Sequence, residues 1–501
     1  MKRRIGFWLG LVLFACALTF LDMEHGQPLV TRMTAVALLM ATWWVTEALP
    51  IPATSLLPLL LFPILGIMPG RDAAATYMNS SIFLFMGGFI IALSIEKWGL
   101  HRRIALGVIG ILGSRPRMIV LGFMIATAFL SMWISNTATA MLMLPIGLSV
   151  VSQIEREGGR TDFSERFALV LMLSIAYSAN VGGMGTLIGT PPNLAFARIF
   201  AISFPEAPEI SFSRWLLLGV PLIVVFLAVI WAFLTFAVHP IGGKQAACSR
   251  DIIRRERRGL GPMGPEEKRV LGVFIATALL WMTRNTLRAG SLVIPGWSDL
   301  LGLEGVDDGT VAMFMALLLF SLPAKARGQR LMDWETATRL PWGILLLFGG
   351  GFALAAGFKQ SALDVWIGSH FQPMAGTSTT GQIVTISTLV TFLTEVTSNT
   401  ATTQMFLPIL AAVAEGVRMN PLLLMIPATL SASCAFMLPV GTPPNAIVFG
   451  SGRVPMISMV RAGVLLNLMG VVLIYFTVMF LARFIFGISL TELPYWVPWL
   501  R

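Results

Sequence analysis

Long apolar stretches follow one another through the 501 residues of this chain, and they constrain its fold more than any other feature. Hydrophobic residues make up 56% of the sequence and charged residues 12%, with a mean hydropathy of +0.80. Charged residues make up about a quarter of a typical soluble domain, so the composition excludes that class. It predicts an all-α polytopic membrane protein.

A helix needs about 20 apolar residues to cross the hydrocarbon core of a membrane. About eleven transmembrane helices are predicted on this measure. They lie near residues 5–20, 29–46, 54–68, 117–152, 165–198, 213–238, 270–286, 306–323, 381–414, 421–449 and 457–486. Two further stretches, near 73–98 and 335–360, contain the polar runs Asn79-Ser80-Ser81 and Leu340-Pro341-Trp342-Gly343, and we interpret both as re-entrant hairpins.

The net charge of +10 comes from basic residues in short loops between the apolar runs, not from one contiguous basic face. This distribution is explained by the positive-inside rule of membrane proteins, and it does not indicate nucleic-acid binding. Met1-Lys2-Arg3-Arg4 precedes the first apolar run. In a chain with many later spans, this pattern predicts an uncleaved first helix with a cytoplasmic N-terminus.

Counting the crossings from a cytoplasmic N-terminus places the basic loops 244–269 and 325–330 inside, in agreement with the rule. The same count places four arginines on the wrong side, namely Arg102, Arg103, Arg115 and Arg117. Either segment 100–117 is an amphipathic helix at the membrane surface, or one crossing is miscounted.

Three motifs occur twice in the same order. Ser135-Asn136-Thr137 recurs as Ser398-Asn399-Thr400, at an offset of 263 residues (398 − 135 = 263). The same offset relates the Gly-rich runs 84–89 and 347–352. Gly-Thr-Pro-Pro-Asn at 189–193 recurs at 441–445, so the first half holds 11 more residues than the second between these motifs (263 − 252 = 11). The chain therefore contains an internal repeat, with an insertion in the first half between Glu155 and Arg166.

The two repeats are predicted to be inverted. Four crossings separate the two Ser-Asn-Thr helices in the count above, so these helices run in opposite directions through the membrane. Inverted repeats with interrupted helices and a binding site at the midplane are typical of secondary transporters.

Each Ser-Asn-Thr motif lies in an apolar run, where polar residues are costly, and we interpret it as a helix break. Ser, Asn and Thr are favoured N-caps, and the helix that they start directs free N–H groups and its positive end toward the break, where an anion is stabilised. Thr190-Pro191 and Thr442-Pro443 start helices in the same way. The alternative is that each motif only forms hydrogen bonds between helices. Two copies in register favour a functional site.

The same breaks expose backbone carbonyls beside hydroxyl and amide oxygens, which together suit a hard cation such as sodium. Glu47 and Glu395 are candidates for buried carboxylates. Glu395 is either a proton site or a hydrogen-bond partner of a broken helix. The chain contains no His-Glu-x-x-His motif and no Walker lysine after its Gly-rich runs, so it is not expected to be an enzyme.

Together, these motifs resemble those of the divalent anion/sodium symporter family, the INDY-like carboxylate transporters, over nearly the whole chain. The resemblance implies an elevator-type transporter that forms a homodimer in the cytoplasmic membrane of a bacterium. A scaffold domain would hold the dimer interface while a transport domain moves. The implied segments are 1–70 (scaffold), 71–212 (first repeat, transport domain), 213–330 (scaffold with a basic cytoplasmic linker), 331–456 (second repeat, transport domain) and 457–501 (C-terminal helix).

The resemblance implies symport of di- or tricarboxylates, above all succinate-like C4-dicarboxylates, with two or more sodium ions and no organic cofactor. The implied sodium ligands are Ser131, Ser135, Asn136 and Gly189 in the first repeat and Thr394, Thr397, Asn399 and Gly441 in the second. The implied substrate contacts are Asn136, Thr137, Thr190, Ser398, Asn399, Thr400, Thr442 and Pro443.

A carboxylate exchanger, a sulfate/sodium symporter and a proton-coupled antiporter stay open as alternatives. The four motifs contain no Lys, Arg or His that could replace sodium, which favours symport over exchange. Relatives can carry Ser at position 190 and Ala at 397 and 441. Positions 397 and 441 would act through backbone carbonyls, so their sodium role is unaffected, whereas the extra methyl of Thr190 leaves the size of the substrate open.

Overall fold

The computed structural model describes residues 2–111, 115–238, 240–241, 255–289, 292–303, 305–325, 328–372, 378–490 and 493–497. Residues 244–254 of the basic loop 244–269, including Cys248, lie outside these residues. Residues 112–114 of segment 100–117 and residues 326–327 of segment 325–330 lie outside them as well. The described chain is helical except for one short ribbon, which confirms the predicted all-α class.

Twelve α-helices lie in the described part of the first half of the chain. In chain order these are α1 (Lys2–Phe20), α2 (Pro28–Thr46), α3 (Ile51–Thr54), α4 (Leu57–Ile64), α5 (Gly70–Ala75), α6 (Ser80–Lys97), α7 (Leu100–Ile111), α8 (Pro116–Ser131), α9 (Asn136–Gly158), α10 (Asp162–Gly183), α11 (Pro191–Ser203) and α12 (Phe212–Ala232). A six-residue π-helical segment, Phe233–Val238, continues α12.

The second half begins with a helix and a two-stranded antiparallel ribbon, in which Arg288 is paired with Val293. Its elements are α13 (Pro265–Met282), β1 (Leu287–Ala289), β2 (Leu292–Ile294), α14 (Trp297–Leu300), α15 (Asp308–Ser321), α16 (Trp334–Ala337), α17 (Trp342–Ser361), α18 (Leu363–Phe371), α19 (Thr379–Thr394), α20 (Asn399–Gly416), α21 (Leu422–Ser431), α22 (Pro443–Gly450), α23 (Met456–Phe476), the π-helical segment Thr477–Ala482 and α24 (Arg483–Phe486).

Helices α8 and α9 form a hairpin, so residues 117–152 are not one crossing. At the start of α12, Trp215 Nε1 donates to the Met184 carbonyl, just after the end of α10. At the end of α12, Trp231 Nε1 donates to the Arg117 carbonyl, at the start of α8. Helix α8 therefore starts at the end of α12 and runs toward the end of α10. Helix α9 runs back along α10, because Asn136 lies beside Gly183 whereas Gly147 packs in the middle of α10.

Helices α19 and α20 form the second hairpin. Helix α19 packs along α21, and Thr394 at its end donates to the Ala432 carbonyl at the end of α21. Helix α20 starts beside Thr394 and ends at Gly416, shortly before α21 starts at Leu422, so it runs back in the opposite direction. Residues 381–414 are not one crossing either.

The stretches interpreted as hairpins are long apolar helices instead. Within the described residues, eight helical segments are long and apolar enough to cross a membrane, and Gly70–Lys97 and Trp342–Ser361 are two of them. The interpretation of 73–98 and 335–360 as re-entrant hairpins is wrong, because each polar run lies at the start of a long apolar helix and not in the middle of one. Asn79, for example, accepts hydrogen bonds from the N–H groups of Ser81 and Ile82 at the start of α6. The total of about eleven crossings stays a prediction.

One end of the molecule collects basic side chains, and we call it the basic end. Arg102 and Arg103 form ion pairs there with Glu256 and Glu267, which belong to the loop predicted to be inside. The count that put these arginines on the other side was therefore wrong, because it took one hairpin for a crossing and one crossing for a hairpin. Lys97, at the same end, lies 2.5 Å from Asp333 and lowers the pKa of that carboxyl to about 2.

The two repeats pack reciprocally. Helix α9 of the first repeat lies along α22 of the second, and α20 of the second lies along α11 of the first. The correspondence extends beyond the three motifs, because α12 and α23 each have 21 residues and each continues into a six-residue π-helical segment. The insertion of the first repeat lengthens the end of α9 and the start of α10. Thr161 and Ser164 form a capping box at the start of α10.

Candidate functional site

The two Ser-Asn-Thr turns and the two Thr-Pro helix starts border one cavity of about 500 Å³. All eight residues expected to contact the substrate line it, namely Asn136, Thr137, Thr190, Ser398, Asn399, Thr400, Thr442 and Pro443. Of the expected sodium ligands, Ser131 and Thr394 lie behind the cavity wall and the other six line it. The structure thus brings together residues that are far apart in the sequence.

Each Ser-Asn-Thr turn caps a helix in the same way. Ser135 Oγ accepts a hydrogen bond from the N–H of Ala138, at the start of α9, and Ser398 Oγ accepts one from Ala401, at the start of α20. The N–H groups of the intervening residues, 136 and 137 in one turn and 399 and 400 in the other, donate to no backbone acceptor in the described chain. Both turns therefore offer free donors to an anion.

The two Thr-Pro starts differ from the prediction. Thr190 and Thr442 precede α11 and α22, but neither side chain caps its helix. The next two residues of each helix are prolines, which have no N–H, so these helix ends contribute their dipole but few donors. The Thr442 hydroxyl donates instead to Asn180 Oδ1, across the boundary between the repeats.

Behind each turn, one hydroxyl faces two acceptors. Ser131 Oγ lies 2.6 Å from Asn136 Oδ1 and 2.6 Å from the Ala179 carbonyl oxygen. Thr394 Oγ1 lies 2.6 Å from Asn399 Oδ1 and 2.9 Å from the Ala432 carbonyl oxygen. A hydroxyl has a single hydrogen, so one oxygen at each position receives none. A small cation would compensate this crowding of oxygens.

Other neutral oxygens surround the same positions. A Cβ atom on Gly189 would lie 2.6 Å from the Gly183 carbonyl oxygen and 3.1 Å from that of Met132. A Cβ atom on Gly441 would lie 3.1 Å from the Glu395 carbonyl oxygen. A side chain at position 189 would therefore clash with the backbone, whereas the space at position 441 is tight. Hydroxyl, amide and carbonyl oxygens are the ligands of a hard cation, so the residues present fit sodium.

Glu395 is buried, with 2% of its surface exposed, and it forms hydrogen bonds to a broken helix. Its carboxylate accepts from the backbone N–H groups of Phe436, Met437 and Leu438, between α21 and α22. Asn467 of α23 also donates to it, at 2.8 Å. Glu47 is not buried as expected, because half of its side chain is exposed and it is paired with Arg3 at the rim of the cavity.

Four asparagines outside the Ser-Asn-Thr turns support the breaks, and sequence reasoning missed these roles. Asn193 donates to three carbonyls of segment 183–186, and Asn445 donates to those of Ala435 and Leu438. Asn180 joins the repeats through the Ala435 carbonyl and Thr442. The sequence signal for these roles is a single Asn in an apolar helix, as at positions 180 and 467.

The cavity is rich in neutral polar groups and poor in charge. Among the lining residues that the structure describes, Glu47 is the only charged one, and none is Lys, Arg or His. An anion bound here would meet only partial positive charges from the protein, because a helix end supplies about half an elementary charge.

Comparison with known proteins supports the family predicted from the motifs. The family profile described as the sodium:sulfate symporter transmembrane region matches residues 6–488. The chain belongs to this sodium/divalent-anion symporter family. It is 43% identical to the sodium-dependent dicarboxylate transporter SdcS of Staphylococcus saprophyticus, over 97% of this chain and 93% of that protein. It is 42% identical to SdcS of Staphylococcus aureus over the same shares.

The fold also resembles solved transporter structures of low sequence identity. The YdaH transporter of Alcanivorax borkumensis superposes with a TM-score of 0.58 at 11% identity, covering 90% of this chain and 98% of that one. MtrF of Neisseria gonorrhoeae superposes with a TM-score of 0.57 at 12% identity, covering 99% and 98%. This member of the symporter family therefore shares its helical architecture with proteins of very different sequence.

Proposed function

We propose that this protein carries C4-dicarboxylates such as succinate across the cytoplasmic membrane of a bacterium, together with two or more sodium ions. The observation that carries the proposal is the cavity between the two Ser-Asn-Thr turns, which has free donors and, in the part of the chain that the structure describes, no cationic side chain in its lining. The names of the SdcS relatives agree with it, since both are described as sodium-dependent dicarboxylate transporters.

Each end of the substrate would bind to one turn. One carboxylate would accept hydrogen bonds from the first turn, with Asn136 and Thr137, and the other from Asn399 and Thr400 of the second. Ser398, Thr190, Thr442 and Pro443 would contact the carbon chain and the remaining oxygens. Because α9 and α20 both start at the cavity, the positive ends of both helices would face the dianion.

Sodium would supply the full positive charges that the protein lacks. Ser131, Ser135, Asn136 and the Gly189 carbonyl would hold one ion, and Thr394, Thr397, Asn399 and the Gly441 carbonyl would hold the other. Moving a dianion out of water is costly unless nearby charges compensate it. Substrate should therefore bind poorly until sodium has bound, and by linkage substrate should tighten sodium binding by the same factor.

Movement would follow the elevator scheme that the resemblance implies. Segments 71–212 and 331–456 would form the transport domain and the remaining helices the scaffold of a homodimer. The start of α17, at the basic end, lines the cavity through Pro341 and Gly343. With a cytoplasmic N-terminus, the positive-inside rule puts the basic end in the cytoplasm, and we assign this conformation to the state that opens inward.

Titration of the purified protein with succinate, in sodium and then in choline at equal ionic strength, tests the proposal. We expect the affinity to fall at least about tenfold in choline, a coupling within the usual allosteric range. Asn136→Ala should show weak binding in both salts and is the matched control. Equal affinity in the two salts would exclude sodium coupling, and counterflow in liposomes would then test exchange and proton antiport. Competition by citrate and by sulfate would define the substrate class.

A further inference from the structure

A second cavity, of about 420 Å³, borders the first Ser-Asn-Thr turn, and we call it the inner cavity. Ser135 and Thr137 line both this cavity and the central one between the turns. Glu96, His101 and Arg339 line it as well, and these residues belong to the basic end of the molecule. The inner cavity therefore extends from the proposed substrate site toward the basic end.

One buried hydroxyl in the wall of the inner cavity has no hydrogen-bond partner. Thr139 is 1% exposed, and its Oγ1 forms no hydrogen bond within the described chain. The equivalent residue of the second repeat is Thr402 (402 − 139 = 263), which bonds to Thr397 Oγ1 at 2.7 Å. The first repeat has Ile134 at the position of Thr397 (397 − 134 = 263). A buried hydroxyl without a partner is costly, so the unpaired Thr139 indicates a place for a polar ligand.

Arg339 brings a full positive charge to the same cavity. Its Nη2 donates to Glu96 Oε1 at 2.7 Å, and this is the one acceptor of its side chain in the described residues. A guanidinium has five N–H donors, and 58% of the Arg339 side chain is exposed. Most of its donors are therefore free to bind an anion while the bond to Glu96 is kept.

These groups suit a carboxylate better than a cation. A cation would be repelled by Arg339, and the Glu96 carboxylate is already paired with that guanidinium. A carboxylate would accept from the guanidinium and from the Thr139 hydroxyl, and such charge-assisted bonds are stronger than neutral ones. The protein itself supplies the compensating charge here, whereas the lining of the central cavity offers only helix ends and neutral groups.

We propose that the inner cavity is a second anion site, in which Arg339 and Thr139 bind a carboxylate of the dicarboxylate that has left the central site for the cytoplasm. The inference rests on the proposed function for the identity of the anion and for its direction. The two sites differ in one measurable property, because the inner site has its own positive charge and should bind the anion without sodium.

A cysteine reporter in the inner cavity tests this inference without measuring transport. Met141 lines the cavity and is 60% exposed, so Met141→Cys should react with a maleimide. Cys16 and Cys248 are replaced by Ala, and Cys434 is buried. Succinate added as its choline salt should slow labelling in the absence of sodium, whereas 1,4-butanediol, which has the same carbon chain without carboxylates, should not.

Three substitutions in this reporter background separate the contributions to binding. Arg339→Gln should raise the succinate concentration for half protection at least about tenfold, and Thr139→Val about two- to tenfold. Glu96→Gln frees Arg339 from its partner and should lower that concentration about two- to fivefold. Thr402→Val is the matched control for Thr139→Val, because the Thr402 hydroxyl bonds to Thr397 and lies outside both cavities, and it should leave protection unchanged.

Val440→Cys is the matched reporter for the central cavity, where protection by succinate should require sodium. If Val440→Cys is protected in neither salt, the proposed function fails, and labelling of Met141→Cys still decides the inner site. Protection of Met141→Cys that requires sodium, or that is unchanged in Arg339→Gln, would overturn the inference. If Met141→Cys does not react, calorimetric titration of Asn136→Ala with succinate in choline decides it. We expect residual binding that Arg339→Gln weakens at least about tenfold, and no such loss would contradict the inner site.

Discussion

The two repeats present matching ligands from different surroundings. Around the first break, residues 174–190 are buried, and neutral side chains such as Thr186 hold the segment. Around the second break, residues 437–440 are partly or fully exposed, Val440 lines the cavity, and Glu395 holds the segment from behind. The candidate ligands are thus supported by dense packing in one repeat and by a buried carboxyl group in the other.

This difference shows which features are tied to the symmetry of the site. The capping serines, the paired asparagines and the hydroxyls behind them occur in both repeats, because a substrate with two carboxylates needs two similar halves. The supports behind them need only fix a carbonyl, so they are free to diverge. Three variant pairs, from the largest expected effect to the smallest, test how far the equivalence extends.

Asn136→Ala and Asn399→Ala should each lower sodium-driven succinate uptake in proteoliposomes more than about 100-fold, because each amide would serve a sodium ion and the substrate together. Asn285→Ala, a change to a partly buried residue outside the cavity whose amide donates to Glu209, is the matched control and should keep parental uptake. Size-exclusion chromatography should show that all three variants keep the parental oligomeric state. Parental uptake by either cavity variant would remove that asparagine from the site.

Ser131→Ala and Thr394→Ala should each raise the sodium concentration for half-maximal uptake about tenfold, as loss of one ligand or ligand-orienting group usually does. The hydroxyls hold Asn136 and Asn399 in equivalent ways, at 2.6 Å in both repeats, so similar shifts are expected. Thr394→Ser keeps the hydroxyl and should restore the parental value. A shift in one repeat only would mean that the two turns are not equivalent.

The far ends of the helices that leave the cavity should differ in stability. Glu155 and Arg453 join the ends of α9 and α22, whereas Lys359 neutralises both Asp364 and Glu415 beside the end of α20. Lys359→Gln leaves two buried carboxylates together and should cost about 2 kcal/mol, after allowance for the partial exposure of Lys359. Arg453→Gln leaves one carboxylate and should cost about 1 kcal/mol.

Thermal unfolding in detergent, followed by tryptophan fluorescence, measures this difference. Lys359→Gln should unfold at a lower temperature than Arg453→Gln, and both should keep the sodium dependence of the parent. The reverse order of unfolding temperatures would mean that the carboxylates beside Lys359 find other donors, so that the two ends are supported more equally than the contacts indicate.

The repeat, the class of fold and the places where helices break can all be read from the sequence. Ser135 and Ser398 cap helices through atoms three residues away, so the signal is local and can be read from the motif. The effect of the two prolines after Thr190 and after Thr442 is also local, because proline has no backbone N–H in any fold. The cluster of expected substrate residues around one cavity also follows from the paired motifs.

Which apolar segments fold back as hairpins, and which side chains lie behind each break, depend on how the helices pack. A hairpin helix and a crossing helix have similar length and hydropathy, and the packing of α8 and α9 against α10 distinguishes them. The role of Glu395 depends on N–H groups about 40 residues further along the chain and on Asn467 of another helix. Hydrogen bonds between distant segments leave no periodic pattern in a sequence, because their partners are set by how the helices pack.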